Sequence, residues 1–195
     1  MKDTKEYILV KAFRLFITKS YKEVTLKDIV QATGLSKGAF YHYFASKEKV
    51  YEEVVKYFYA RIMITDYSDF PTGSFREFYR YYLERLAQPS ELDDLKAETN
   101  LFLFIAEASR RVGSFAEIHA AQREAELSAW TDALRRGKSN SEIDSSIPDR
   151  QLAEMFLYIS DGSTLTTLVK NPDEQTLETM KTAWDNLFSL IRAKS

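Results

Sequence analysis

The chain has 195 residues, 45% of them hydrophobic, enough for one large or two small cores, and this excludes a wholly disordered protein. It has no cysteine, so disulfides, zinc-thiolate sites and thiol catalysis are absent, in keeping with a reducing, cytoplasmic setting. The net charge of −2 conceals a division: residues 1–49 hold ten Lys and Arg against five Asp and Glu (+5), and residues 50–195 hold seventeen against twenty-four (−7).

A basic end attracts a phosphate backbone, and an acidic remainder limits indiscriminate adhesion. Lys2, Asp3, Lys5 and Glu6 stand where a signal peptide needs an apolar run. No apolar stretch approaches the length of a bilayer span, so no membrane partner is expected.

From Lys5 to Lys19, Ile8, Leu9, Ala12, Phe13, Phe16 and Ile17 recur on one helical face. Thr25, Ser36 and Ser46 then offer hydroxyls that can cap three helix starts, with Asp28 completing a capping box for the first. Between the first two, Gly34 can take the positive φ that ends a helix, and Leu35 is the apolar residue after it. The pattern is helix, tight turn, helix. Leu26, Ile29 and Val30 form the buried side of the second helix, and Leu35, Phe40 and Phe44 that of the third. Lys37, Ala39, Tyr41, His42 and Tyr43 are left facing out, where aromatic and basic side chains suit a major groove better than bulk solvent. Gly38 and Ala39 allow close backbone approach, and Lys37 reaches far enough for a guanine edge.

The run Ser36-Lys37-Gly38-Ala39-Phe40-Tyr41-His42-Tyr43-Phe44, followed by Ser46-Lys47-Glu48-Lys49, resembles the signature of the TetR family of transcriptional regulators. The resemblance covers residues 7–54. It implies phosphate or sugar contacts from Thr25, Ser36, Tyr41, Tyr43 and Lys47, base reading around Lys37, Gly38, Ala39 and Tyr41, and a variable role for His42. It also implies an all-α fold, with a helix-turn-helix domain over 1–49 and a helical ligand-binding and dimerisation domain over 50–195.

Beyond Ser46 a longer helix is expected to run to about Ile64 and join the two domains. Thr65 to Ser74 carries turn chemistry in Asp66, Ser68, Pro71 and Gly73. An aromatic helix follows over 74–87, then a helix from Ser90 to about Arg111 and another from Phe115 to Arg136, ended by Gly137. Residues 135–147, rich in serine, read as a mobile loop. Two helices close the chain, 149–169 and 173–191.

Residues 51–104 hold thirteen of the twenty-seven aromatics. The resemblance implies a small-molecule effector site in this part of the chain, for which Tyr79, Tyr82, Glu98, Phe102, Phe104, Glu107, His119 and Trp130 are candidates, although aromatics at helical spacing equally make cores. The terminal helices carry apolar stripes with Phe156, Ile159, Ser163, Trp184 and Phe188, which serve either a monomer core or, as the resemblance implies, a homodimer on a palindromic operator of double-stranded DNA. Repression is the mode the resemblance implies; control by a protein partner in place of a small ligand is the alternative. No phosphate loop, nucleophile elbow or metal-binding motif is present, so no catalytic residue, metal or cofactor is expected.

Overall fold

The structure, a computed structural model, describes residues 4–64, 66–88, 100–170 and 175–194, with side chains for all of these but 166–170, 175 and 176. The described residues form helices and no strand; one isolated antiparallel bridge joins Ile143 and Arg192. In order the helices are α1 (Thr4–Thr18), α2 (Leu26–Thr33), α3 (Lys37–Tyr43), α4 (Lys47–Tyr57), a π-helical turn (Phe58–Ile62), α5 (Phe75–Ala87), α6 (Leu101–Arg111), α7 (Phe115–Ser139), α8 (Asp149–Lys170) and α9 (Gln175–Ile191). None of the described helices is long and apolar enough to cross a membrane.

The chain packs as two compact units. The first comprises residues 1–63 and 92–120, and the second 64–91 and 121–195. The helix-turn-helix thus shares its core with α4 and α6, and the packing boundary differs from a division at 49/50. Each unit has its own aromatic core. In the first, Phe13 lies 5.6 Å from Phe58 and 5.5 Å from Phe104, ring centre to ring centre. All six α1 side chains expected on one face are buried there. In the second, Trp130 and Trp184 face each other at 4.8 Å among Phe75, Tyr82 and Phe156.

Two elements differ from expectation. The helix beginning at Ser46 does not stay α-helical to Ile64: at Phe58 it widens into a π turn, with Met63 N–H donating to Phe58 O at 3.2 Å. The wider turn accommodates consecutive buried rings, Phe58 and Tyr59. Gly137, expected to end a helix, lies inside α7. A Cβ there would stand 2.8 Å from Ile143 Cδ1 and 3.1 Å from Phe75 Cβ, so the glycine serves close packing.

The following segment is correspondingly pinned, where a mobile loop was expected. Ser141 takes a left-handed φ of 58°. Glu142 accepts from the first N–H groups of α5, and Asn140 Nδ2 donates to Gly73 O at 3.2 Å.

Candidate nucleic-acid interface

Side-chain caps start α2, α3 and α4. Thr25 Oγ1 accepts from Asp28 N–H at 3.2 Å and donates to Asp28 Oδ2 at 2.7 Å, while Thr25 N–H donates to the same carboxylate at 2.8 Å. This is a closed capping box. The Thr25 hydroxyl and amide hydrogen bonds hold the Asp28 carboxyl below its usual range. Gly34 sits at φ 67° and ends α2, and Ser36 Oγ accepts from Ala39 N–H at 3.2 Å to start α3. Because Ser36 Oγ accepts in the cap, its O–H remains available as a donor.

On α3 the two faces separate as the spacing requires. Phe40 and Phe44 are buried, whereas Ser36, Lys37, Gly38, Ala39, Tyr41, His42 and Tyr43 are exposed, as is Thr25. Tyr41 is 51% exposed and Tyr43 39%, too much for core aromatics. Neither ring is loose: Tyr41 meets Phe40 edge-on at 6.0 Å, and Tyr43 meets His42 at 5.2 Å. The result is a short helix presenting aromatic, basic and small residues on one convex side over a fixed base of phenylalanines.

Lys47 is placed differently. Its ammonium donates to Tyr21 O and Val24 O, both at 2.8 Å, and lies 4.0 Å from the centre of the Tyr21 ring. A cation at a helix start is unfavourable by itself; here two carbonyls and a ring compensate it, whereas the expectation was a phosphate. Tyr21 was not singled out from the sequence, because its partners lie 26 to 86 residues away.

The expected effector residues do not converge. Phe102 is 58% exposed on α6. Glu107 accepts from Tyr21 N–H at 2.6 Å, inside the first unit. Phe104 is buried in the first unit's core, and His119 Nδ1 pairs with Tyr59 OH at 3.0 Å. Tyr79, Tyr82 and Trp130 belong to the aromatic core of the second unit. Tyr79 OH donates to Asp185 Oδ1 at 2.6 Å, and burial, then that carboxylate, pushes its pKa up. Glu98 lies outside the described residues.

Of the set, Tyr82 and Trp130 retain buried polar groups. Tyr82 OH donates to Glu126 Oε1 at 2.6 Å, and Glu126 also meets Arg123 at 3.1 Å. Burial raises the Tyr82 pKa well above its ordinary value, and Glu126 adds to this. The indole N–H of Trp130 is buried and has no hydrogen-bond partner among the described residues. Among the described residues, no three His, Asp or Glu side chains gather to hold a metal ion.

The expected interface residues need a similar correction. Phe156 and Trp184 are fully buried and Phe188 nearly so, all in the second unit's own core, and Ile159 packs against it. Ser163 is half-buried. The exposed apolar side of α8 is instead Met155, Tyr158 and Leu165, the last two with more than two-fifths of their surface exposed. Their spacing at i, i+3 and i+10 was readable, but the larger rings nearby, which fill the core, drew the expected stripe to the buried side.

A capped helix, a left-handed glycine turn and a second short helix with an exposed reading face define a helix-turn-helix DNA-binding head. Residues 8–54 match the model of the bacterial regulatory proteins of the tetR family. A HTH-type transcriptional repressor of Mycobacterium tuberculosis, Rv1474c, is 29% identical over 171 residues, which cover 87% of this chain and 84% of that protein. The uncharacterized HTH-type transcriptional regulator YuxN of Bacillus subtilis is 37% identical over 59 residues, 30% of this chain and only 20% of that relative's length. Among solved structures, a TetR transcription regulator from Haloarcula marismortui superposes with a TM-score of 0.78 at 17% identity, covering 98% of this chain and all of that one. A transcriptional regulator from Saccharomonospora viridis in complex with choline gives 0.75 at 18% identity over the full length of both chains. By this head, and by a fainter likeness along most of its length, the chain is similar to the TetR family of DNA-binding transcriptional regulators.

Proposed function

We propose that this chain is a homodimeric cytoplasmic repressor that binds a palindromic operator and is released by a small-molecule effector. The observation that carries the reading is the exposed α3 face, Ser36 to Tyr43, standing on buried Phe40 and Phe44. Lys37, Gly38, Ala39 and Tyr41 approach base edges, while Thr25, Ser36 and Tyr43 meet the backbone and His42 lies at the margin. One such helix touches too few bases for useful specificity. A two-fold pair through Met155, Tyr158 and Leu165 of α8 doubles the contacts and demands an inverted repeat, with reading helices roughly 34–36 Å apart or a multiple of that.

For the effector, the supporting groups are Glu126, held by Tyr82 and Arg123, and the unpartnered Trp130 indole one turn along α7. A neighbour of the same fold holds choline, a small cation. The test is titration onto the DNA flanking the chain's own gene, with a scrambled duplex as control, over a salt series. Selective binding that footprints an inverted repeat supports the reading; equal binding to both duplexes, lost steeply with salt, refutes it.

A further inference from the structure

We propose that Tyr21 is a positioning residue for the DNA-reading head, through which Glu107 and Arg111 of α6 and Lys47 of α4 set the placement of α2. The inference rests on the reading of α2 and α3 as that head.

Each polar group of Tyr21 is engaged, and always by one of two helices. Its N–H donates to Glu107 Oε2 at 2.6 Å, its carbonyl accepts from Lys47 Nζ at 2.8 Å, and its O–H donates to Glu48 Oε1 at 3.0 Å. Two cations lie over its ring, Lys47 at 4.0 Å and the Arg111 guanidinium at 4.2 Å. Cation–ring contacts of this kind contribute measurably even at partly exposed sites. Tyr51, edge-on at 4.9 Å, completes the surround, and its own O–H donates to Phe104 O on α6 at 3.0 Å.

Within the turn that carries Tyr21, Glu23 and Val24 N–H both donate to Ser20 O, and the Tyr21 ring stacks on Phe16 of α1 at 5.9 Å. The turn leads within four residues to Thr25, the cap of α2. Lys47 grips Val24 O as well as Tyr21 O, so the turn is tied to the first turn of α4, next to α3. On the other side, α6 is attached twice: Asn100 N–H donates to Ile17 O at 2.7 Å, and Glu107 and Arg111 take Tyr21. A displacement of α6 along its axis therefore reaches the α2 cap through one side chain. α6 is followed immediately by α7, which leaves the first packing unit after Ala120.

Arg111 is the probe, since its side chain is 35% exposed and its removal opens no core. Arg111→Ala and Arg111→Lys are compared with the unaltered chain in operator titrations over a salt series. In parallel, amide hydrogen exchange is followed across residues 19–33 without DNA. Arg111→Ala is expected to weaken operator binding about tenfold, equivalent to roughly 1.4 kcal/mol, with an unchanged salt slope and faster exchange in 19–33. Arg111→Lys, which restores a cation over the ring, recovers most of both. A slope that falls by about one unit makes Arg111 a phosphate contact and overturns the proposal. Unchanged exchange across 19–33 also overturns it. If the unaltered chain itself does not distinguish operator from scrambled DNA, the DNA-binding reading fails, and the exchange data still decide the role of Tyr21.

Discussion

Glu142 caps a helix that starts sixty-seven residues earlier in the chain: its Oε2 accepts from Phe75 N–H at 2.6 Å, and its Oε1 accepts from Arg76 N–H at 3.0 Å. These are first-turn donors of α5 that no residue of the helix can satisfy. A carboxylate at a helix start also meets the positive end of the dipole. Glu142→Ala should therefore lower stability by about 1.5–3 kcal/mol, the range for hydrogen bonds to a charged group. Thermal unfolding measures the loss, and Glu142→Gln, which keeps the acceptor but not the charge, should fall between the two.

Tyr41 and its neighbour Phe40 should separate function from folding. Tyr41→Ala removes a half-exposed ring and is expected to abolish selective DNA binding while leaving the unfolding midpoint within a degree or so, as for surface changes in general. Phe40→Ala empties a fully buried site and should cost about 3–5 kcal/mol. Equal losses of stability in the two variants would mean that Tyr41 is structural.

The capping box makes a prediction about acid. Hydrogen bonds from Thr25 depress the Asp28 pKa in the folded state. The stabilisation is therefore present above the ordinary carboxylate range and is lost as pH falls through the depressed folded value. Thr25→Val should lower the unfolding midpoint at neutral pH and make the acid limb of the stability profile shallower, because Asp28 then keeps only the amide bond and its folded pKa moves back toward the unfolded one. A profile parallel to that of the unaltered chain would exclude the linkage.

Tyr158 tests the assembly. In a two-fold pair each copy meets the same patch on the other, so Tyr158→Glu brings like charges together in an apolar setting. Sedimentation should show a monomer at concentrations where the unaltered chain is dimeric, and operator affinity should drop with it. The fold should hold, since the Tyr158 side chain is 63% exposed.

Gly137→Val would drive a branched side chain into Ile143 and Phe75, with a cost of about 1–3 kcal/mol for overpacking, read as a lowered unfolding midpoint. The same position shows where sequence reading stops. A lone glycine near the end of an apolar helix is indistinguishable from a helix terminator until its neighbours are known, and here Ile143 lies beyond the helix end and Phe75 on another helix. Caps were legible at Thr25, Ser36 and Ser46 because their chemistry closes within three residues. The single buried face of α1 was legible because one helical period repeats over it.

Lys47 and Glu107 have partners that the sequence did not reveal, for a shared reason. Their partners are backbone groups of a loop, and backbone groups have no sequence signature. Tyr79, Tyr82 and Trp130, read as effector-site candidates, share the aromatic core of the second unit; whether such a region encloses space or fills it depends on ring separations that composition does not encode.

The π turn at Phe58–Ile62 holds one residue more than an α-helical turn would. It is thus a stored insertion. Deleting a single residue there would replace the i→i+5 bond of Met63 to Phe58 by an i→i+4 bond and let α4 continue in regular register. Because Tyr59 lies within the turn and meets His119 at 3.0 Å, that deletion would also uncouple this pair. In a gene that changes length by whole codons, loss of one codon in this five-residue stretch would exchange a π turn for an ordinary helical one.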